Sequence, residues 1–491
     1  MRISLERDAG SPSTPVYRQI ADQIRSQIDA RDLGAGSRLP AIRELARKLR
    51  VNRDTVALAY EELARAGVVE STVGRGTFVA PGAASEPEAR VEAALSPVAE
   101  RLLELERRRP RFGSAAGAVP MHTLVPDPAL YPVDAFRRAL NRVLQQGGAE
   151  LLLYGGPQGH MRMREVLAAR LRQAELHVET SELVLCHGAS QGISLALRLF
   201  AAPGDSVALE EPTYNNVLAA VSGLGLEPVA VPMRADGADL AALSRVLERP
   251  EVKLFYTIPT FHNPMGITTT LAHRRELLEV AARAGKPVVE DAYEADLRLG
   301  GRAVPSLAAL DRSGLVVHLS SFSKSLFPGA RVGAIAAHGR LVDALLALKQ
   351  ATDLSDAMPL QAAMAELVSS GAYDRHLARL HPVLRSRCDA LLEALREHMP
   401  EGTRWTEPEG GYQVWVELPE GGDTSELLPD AVSAGVLFAP GAEFHHDGRP
   451  SRCLRLTFAM ADEAALRRGV AALGGVVRSR AGARQRDPVP I

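Results

Sequence analysis

SSFSKSLFPGARVG, residues 320–333, directly follows the apolar, strand-like run Leu315–Leu319. In α/β folds, ligands bind beyond the carboxyl ends of the sheet strands. Lys324 is therefore predicted to lie at such an edge of a sheet. Three side chains that can donate hydrogen bonds to a phosphate surround it in the sequence: Ser321, Ser323 and Arg331. A surface loop with an incidental lysine and arginine would also fit this stretch taken alone.

Similar short apolar runs alternate with helical stretches from about residue 121 onwards. They cover Leu183–Cys186, Ser206–Leu209, Lys253–Thr257 and Pro287–Glu290. Strands that alternate with helices favour an α/β domain with a mostly parallel sheet. From about Pro359 the pattern predicts long amphipathic helices and then a second α+β group around Tyr412–Leu418 and Arg452–Phe458. Residues 477–491 are basic and rich in polar residues, and we predict that they are disordered.

Polar residues follow several of these strands. Asp291 comes directly after Pro287–Glu290, and Asn263 lies in a His-Asn-Pro turn after the preceding strand. Backbone N–H groups at the start of a helix can hold a phosphate. Such a turn between strand and helix contains Gly188, Ala189, Ser190 and Gln191. Taken singly, these segments would also fit a helix cap, an ordinary Asn-Pro turn and the start of any helix.

Together, the polar segments match the requirements of pyridoxal phosphate (PLP). A lysine forms an aldimine with this cofactor, a carboxylate keeps its pyridine nitrogen protonated, and donors hold its phosphate and its O3′ oxygen. Tyr293 could bond to O3′, and Tyr214 could stack on the pyridine ring, although a tyrosine is more often a core or surface residue. The whole set, in this order along the chain, predicts a PLP site around Lys324.

The N-terminal part predicts a separate small domain. Apolar spacing indicates helices over about 15–28 and 40–49, and a third helix that begins at Arg53 with Asn52 as its cap. Two short strands within 68–79 predict a β-hairpin. Three helices followed by a hairpin form a winged helix-turn-helix.

In a helix-turn-helix, the first residues of the second helix reach base edges in the major groove of DNA. Here these are Asn52, Arg53 and Thr55, while Arg43 on the preceding helix is placed to hold the phosphate backbone. The predicted wing tip, suited to the minor groove, consists of Gly74, Arg75 and Gly76. The alternative is a small helical bundle whose arginines are solvated surface.

Composition adds broad limits. The 491-residue chain has a net charge of −2, so bulk charge predicts neither nucleic-acid nor membrane binding, although residues 1–80, with 13 Lys+Arg and 10 Asp+Glu, carry +3. Three scattered cysteines predict a reducing compartment and no metal site. Because there is also no signal-like or membrane-spanning apolar run, we expect a cytoplasmic protein.

The motifs between residues 13 and 80 resemble the GntR family of winged helix repressors, and those over about 120–475 resemble fold-type I aminotransferases. Joined by an Ala-, Pro-, Glu- and Arg-rich linker over 81–120, they resemble regulators of the MocR/GabR/PdxR type. The resemblance therefore implies a multidomain fold: an α+β winged helix over residues 1–80 and an α/β PLP domain over 121–476.

The resemblance also implies roles for individual residues. Lys324 would form the aldimine, Asp291 would contact the pyridine nitrogen, and Arg455 would bind the carboxylate of an amino acid. The other implied cofactor ligands are Tyr293, Asn263, Tyr214, Gly188, Ala189, Ser190, Gln191, Ser321, Ser323, Arg331 and Tyr154. Tyr154 matches a segment that often reaches the phosphate of a partner subunit. Met265 departs from the usual Thr or Ser after the Asn-Pro turn, which removes no ligand.

Regulators of this type bind double-stranded DNA, PLP and an amine or amino-acid effector, and form head-to-tail homodimers. We therefore expect a regulator that senses PLP or an effector at Lys324. The alternative is a working aminotransferase with an accessory DNA-binding module, because Lys324, Asp291 and Arg455 would suffice for a half-reaction. A third possibility, an inactive scaffold, is disfavoured because the whole cofactor set is present.

Overall fold

The computed structural model describes residues 3, 16–30, 32–72, 76–80, 93–110, 117–419 and 423–484. The chain divides into two compact units, Met1–Ala94 and Leu95–Ile491. Each unit has hydrophobic clusters of its own.

The first unit contains three helices and a hairpin. Its elements are α1 (Val16–Asp29), α2 (Ile42–Leu49), α3 (Arg53–Arg65), β1 (Val69–Thr72) and β2 (Gly76–Val79). The predicted four-residue spacing in α1 is buried, with Ile20, Ile24 and Ile28 fully covered. Asn52 caps α3 by accepting a hydrogen bond from the N–H of Asp54. β1 and β2 pair antiparallel, so this unit has the predicted winged helix-turn-helix fold.

The second unit is larger and contains both helices and strands. Its helices are α4 (Pro97–Arg108), α5 (Val133–Gly147), α6 (Met161–Gln173), α7 (Ala189–Phe200), α8 (Asn215–Gly223), α9 (Leu240–Leu247), α10 (Leu271–Ala284), α11 (Leu307–Leu310), α12 (Arg340–Asp353), α13 (Met358–Ser369), α14 (Ala372–His398), α15 (Leu428–Ser433) and α16 (Glu463–Arg484). Its strands are β3 (Val119–Pro120), β4 (Leu183–Cys186), β5 (Ser206–Glu211), β6 (Glu227–Arg234), β7 (Gly237–Ala238), β8 (Val252–Thr257), β9 (Val288–Ala292), β10 (Val316–Ser321), β11 (Gly333–Ala336), β12 (Arg404–Trp405), β13 (Gln413–Glu417), β14 (Val436–Leu437), β15 (Ala439–Pro440) and β16 (Cys453–Thr457).

An eight-stranded sheet forms the centre of this unit. Its order is β4-β11-β10-β9-β8-β5-β6-β7, and the five strands from β10 to β6 run parallel. β5, β8 and β9 are almost entirely buried because the sheet is covered on both faces. The carboxyl ends of β5, β8, β9 and β10 therefore meet at one edge, and the loops that follow them carry the candidate site.

A second sheet follows in the chain. It is antiparallel, in the order β12-β13-β16-β15, and β16 carries Arg455. β3 pairs in parallel with β14, which ties the segment that precedes α5 to this part of the unit. The observed architecture is an α/β unit built on a mostly parallel sheet, followed by a second α+β group, as predicted.

The last helix differs from the sequence-based expectation. We predicted disorder from residue 477, but α16 continues to Arg484. The Arg480 guanidinium donates to the carboxylate of Asp430 (2.7 Å) and to the carbonyl of Glu426 (3.0 Å). These contacts, together with burial of Val477, hold a stretch whose basic composition alone resembles a disordered tail.

Candidate cofactor and DNA-binding sites

Lys324 lies in the loop after β10, at the carboxyl edge of the sheet. Its Nζ donates to the carbonyl of Leu124 (2.7 Å), and the Tyr412 hydroxyl donates to the carbonyl of Lys324 (2.8 Å). Burial lowers the pKa of Lys324, as do the nearby Arg455 and Arg331, while Glu294 opposes the change. A lowered pKa favours the neutral amine, which is the nucleophilic form of lysine.

A cavity of about 320 Å³ opens beside this lysine. Lys324, Tyr214 and Arg455 line it together. The sequence separates these residues by more than a hundred positions. The fold brings them to one place because the loop after β10, the residue that precedes α8 and the middle of β16 meet at this cavity.

Asp291 occupies the buried end of β9. The Tyr256 hydroxyl donates to its Oδ2 (2.7 Å), while its Oδ1 has no hydrogen-bond partner among the described residues. Burial raises the pKa of Asp291 to about 6, although the hydrogen bond from Tyr256 opposes the shift. A buried carboxylate with one free oxygen can accept a hydrogen bond from a protonated ring nitrogen.

Asn263 and Arg455 contact each other across the site. The Arg455 Nη1 donates to Asn263 Oδ1 (2.9 Å), and its Nη2 donates to the carbonyl of His122 (2.7 Å). This arrangement leaves the Asn263 Nδ2 and the Arg455 Nε without partners in the described part of the chain. Asn263 thus presents a donor, which an O3′ oxygen requires, and Arg455 keeps a buried cation beside the cavity.

The Arg331 guanidinium lies beside the turn that begins α7. A Cβ atom placed on Gly188 would lie 3.0 Å from the Arg331 guanidinium, so only glycine permits this approach at its φ of +78°. Arg331 also donates to the carbonyl of His187 (2.6 Å). Ala189 and Ser190 follow as the first residues of α7. A guanidinium beside a helix N-terminus is suited to binding a phosphate.

The serines on the Lys324 loop have different environments. Ser321 Oγ accepts a hydrogen bond from the N–H of Ser323 (3.2 Å), whereas Ser323 Oγ is buried without a partner among the described residues. Gln191 uses its side chain internally, accepting from the His187 N–H and donating to Asp353. These hydrogen bonds suit Gln191 to shaping the turn rather than contacting a phosphate.

Three predicted tyrosines divide into two groups. The rings of Tyr214 and Tyr293 are nearly parallel, 6.2 Å apart between centroids, and the Tyr293 hydroxyl accepts from Gln413 Nε2 (3.3 Å). Tyr154 is 85 % exposed and is not among the described residues that line the cavity. Of the predicted set, Lys324, Tyr214 and Arg455 line the cavity. Arg331, Asp291, Tyr293 and Asn263 lie close enough to these three residues to contact them or to affect their pKa values.

The residues present fit PLP. Of the buried polar atoms that lack partners in the described chain, four belong to the predicted site: Asp291 Oδ1, Asn263 Nδ2, Ser323 Oγ and Arg455 Nε. An unpartnered buried polar group costs about 1–3 kcal/mol, so a cluster of them indicates a site shaped for a ligand. Their types match an acceptor for the pyridinium N–H, donors for O3′ and phosphate, and a cation for a carboxylate.

Sequence reasoning missed several residues of the site. Tyr256, which bonds to Asp291, lies in the apolar run of β8 and has the pattern of an ordinary core residue there. Glu294 and Gln413 share a hydrogen bond of 3.1 Å, and burial raises the pKa of Glu294 to about 7 while Lys324 opposes the shift. The role of Gln413, at the start of β13, could not be predicted from the sequence, because its partners lie more than a hundred residues earlier in the chain.

The residues predicted to read DNA lie on the surface of the first unit. Arg43, Asn52 and Arg53 are exposed or half-buried, and Thr55 is half-buried on the first turn of α3. The opposite face of α3 packs into the core through Val56, Ala59, Tyr60 and Leu63. Gly76 begins β2, whereas Gly74 and Arg75 lie outside the described residues. No described helix is both long enough and apolar enough to cross a bilayer.

Comparison with known proteins identifies both units. Residues 16–79 match the bacterial regulatory proteins of the gntR family, and residues 126–473 match aminotransferase class I and II. The uncharacterized HTH-type transcriptional regulator YdcR of Escherichia coli is 30% identical over 94% of this chain and 99% of its own. The probable rhizopine catabolism regulatory protein MocR of Rhizobium meliloti is 28% identical over 96% of this chain and 95% of its own.

A solved structure shares the large unit alone. LysN, the alpha-aminoadipate aminotransferase of Thermus thermophilus, complexed with N-(5'-phosphopyridoxyl)-L-leucine, has a TM-score of 0.70 and 32% identity. The match covers 80% of this chain and 97% of that one. The chain therefore belongs to the aminotransferase class I and II family, whose cofactor is PLP, and joins this domain to a gntR-family DNA-binding domain as in MocR-type transcriptional regulators.

Proposed function

We propose that the protein, acting in the cytoplasm, controls transcription by binding double-stranded DNA through α3 and the wing, and that PLP with an amine or amino acid at Lys324 alters this binding. One observation carries the proposal. A chain with exposed Arg53 at the start of its reading helix also contains a cavity that is lined by both Lys324 and Arg455. A DNA reader and a site suited to amino acids are thus parts of one molecule.

Each cofactor-site residue has a distinct proposed role. Lys324 Nζ is the amine that holds the cofactor, and Asp291 Oδ1 accepts from its ring nitrogen. Asn263 Nδ2 and the Tyr293 hydroxyl contact O3′, while Tyr214 packs against the ring. The phosphate donors are Arg331, Ser321, Ser323 and the N–H groups of Ala189, Ser190 and Gln191, whereas the N–H of Gly188 donates to the carbonyl of Cys186 (2.8 Å). Bound PLP supplies an electrophilic carbon that an incoming amine can attack.

Arg455 is proposed to bind the carboxylate of an amino-acid effector. Its guanidinium is buried, and it donates hydrogen bonds to Asn263 Oδ1 and to a backbone carbonyl. Both acceptors are uncharged, although the nearby Glu443 and Glu294 favour the charged form of Arg455. A ligand carboxylate would add a charged hydrogen bond to this guanidinium. A ligand changes an equilibrium between two protein states only through different affinities for them. A change of Arg455 partners, from Asn263 and a backbone carbonyl to a ligand carboxylate, would give the two states such different affinities.

A homodimer is part of the proposal. Large apolar side chains are exposed close together on the segment after α5: Leu152, Leu153, Tyr154 and Met161. Exposed apolar clusters of this kind mark protein interfaces. A head-to-tail arrangement would bring Tyr154 towards the phosphate of the partner subunit. Cross-linking at positions 152–154 tests the homodimer. Recovery of monomers alone at micromolar protein concentration would contradict it.

The second candidate function is catalytic turnover. The complete donor set and the similarity to LysN favour it, since the same residues would serve transamination. Two measurements on purified protein separate the candidates: steady-state turnover with amino-acid and keto-acid pairs, and DNA binding to the region upstream of its own gene with and without PLP and amino acids. We expect ligand-dependent DNA binding and little turnover. Fast turnover together with DNA binding that ignores all ligands would refute the regulator.

A further inference from the structure

The helix that follows the first unit is anchored along the cofactor domain. α4 begins at Pro97, three residues after Ala94, and packs against α8. Leu102 lies against Gly223 at the end of α8, close enough that an added methyl group there would touch it. Arg101 forms an ion pair with Glu227 (3.3 Å). α8 starts directly after Tyr214, which is its N-terminal cap. α4 therefore packs on the helix that positions the Tyr214 ring.

The carboxyl end of α4 reaches the cavity itself. Arg109, its C-terminal cap, donates to the side-chain oxygen of Asn216 (3.0 Å), and Asn216 Nδ2 donates to the Tyr214 hydroxyl (2.7 Å). A hydrogen-bonded chain thus runs from the end of α4 to a tyrosine of the cofactor site. Both Arg109 and Asn216 line the cavity with Lys324 and Arg455.

Arg109 has hydrogen-bonding capacity to spare. Its described partners are Glu106 (3.2 Å) and Asn216, and a guanidinium has five N–H donors. Its side chain is 38 % exposed, whereas Arg455 is 6 % exposed. The two cations therefore mark the outer and inner parts of one cavity. A ligand whose α-carboxylate met the inner cation would have room to extend its side chain towards the outer one.

We propose that Arg109 is a specificity residue for the effector, donating to a carboxylate or carboxamide oxygen at the far end of the effector's side chain, and that the Arg109–Asn216–Tyr214 chain transmits this contact to α4. This inference rests on the proposed regulatory function. It adds a ligand class, amino acids with an acidic or amide side chain. It also assigns a ligand contact to the residue that ends the first helix of the second unit.

Glu443 makes the outer part of the cavity selective. This carboxylate also lines the cavity, and burial raises its pKa, while Arg455 and Arg109 oppose the shift. Asn215 Nδ2 donates to it (3.3 Å). Arg109 offers hydrogen-bond donors and Glu443 offers an acceptor. A terminal carboxamide, which has both an oxygen acceptor and N–H donors, suits this pair. A purely apolar side chain would leave both groups without a ligand partner.

Full-length protein loaded with PLP tests the inference with L-glutamine, L-glutamate and L-alanine as probes. L-Alanine has no distal group and serves as the internal reference. For Arg109→Ala, affinity measured by cofactor absorbance should fall about tenfold for L-glutamine or L-glutamate relative to L-alanine, as expected for a lost charged hydrogen bond. The matched control is Arg101→Ala, which removes an ion pair on the same helix outside the cavity.

DNA binding in the presence of each probe forms the second readout. Arg109→Ala and Asn216→Ala should reduce the probe-dependent change in DNA affinity, while Arg101→Ala should keep the wild-type response. Unchanged probe preference in Arg109→Ala would overturn the inference, as would an equal loss in Arg101→Ala. If wild-type DNA binding ignores every probe although the absorbance responds, the proposed regulation fails, and the absorbance arm still decides the role of Arg109 as a ligand contact.

Discussion

Asp291→Asn should stabilise the cofactor-free protein and lower its affinity for PLP. The carboxylate is buried, accepts one hydrogen bond from Tyr256 and has a free Oδ1 among the described residues. Burial raises its pKa from 3.8 to about 6. Ionised Asp291 therefore lowers the free energy of unfolding of the cofactor-free protein. A protonated ring nitrogen would offset this loss when the cofactor binds. Asparagine keeps the shape and the acceptor for Tyr256 but carries no charge.

The size of the effect follows from proton linkage. An acid with a raised pKa in the folded state contributes stability that is present below pH 3.8 and lost as the pH rises through about 6. At about 1.36 kcal/mol per pKa unit, the shift costs roughly 3 kcal/mol at pH 8 and roughly 0.5 kcal/mol at pH 4. The stability gained from Asp291→Asn should therefore grow with pH over this window.

Chemical denaturation of cofactor-free wild type and variant, from pH 5 to pH 8, measures this difference. Glu290→Gln is the matched control on the neighbouring residue. Burial alone would raise the pKa of Glu290, but hydrogen bonds from His318 and the Ala308 N–H lower it. Its ionised form is stabilising above its unfolded pKa, so Glu290→Gln should destabilise at pH 8. The two substitutions should thus have opposite signs.

Adding PLP completes the test. PLP should raise the stability of wild type more than that of Asp291→Asn, because ligand stabilisation follows affinity for the folded state. A variant no more stable than wild type at pH 8, or a stability difference independent of pH, would refute the burial argument. A variant that binds PLP as tightly as wild type would refute the contact with the ring nitrogen.

Three further outcomes are expected. Lys324→Ala should remain folded but lose the borohydride-fixed, coloured cofactor; retention of a reducible link at wild-type level would move the covalent role elsewhere. Arg53→Ala should weaken DNA binding by about 1–3 kcal/mol for a lost guanine contact, or lower the salt slope by about one for a lost phosphate contact. Gel shifts across a salt series measure this against Arg65→Ala at the other end of α3, and equal binding by both variants would misplace the reading helix. Arg455→Ala should keep DNA binding yet lose the response to a carboxylate-bearing effector, and a full response would discard that role.

The elements of the fold were predictable because their signals are local. The spacing of Ile20, Ile24 and Ile28 reports a buried helix face, and Asn52 before Arg53 reports a cap. Lys324 and Asp291 could be placed at the sheet edge because each closely follows an apolar strand. Such patterns need no knowledge of distant residues.

Features set by distant partners could not be predicted. The bond from Tyr256 to Asp291 depends on the register between two parallel strands, which the sequence of neither strand reports. Residues 477–484 looked unstructured because their stability comes from Asp430 and Glu426. Arg109 lay in a stretch interpreted only as linker, and its position beside Asn216 follows from the packing of α4 on α8.

The separate core of the N-terminal unit has an evolutionary consequence. Ile20, Ile24, Val56 and Leu63 bury one another within that unit, so substitutions on the exposed face of α3 leave the cofactor cavity untouched. Target sequence and ligand preference can consequently diverge at different rates among descendants of one gene. A duplicated copy could acquire a new operator while it still answers to the old metabolite.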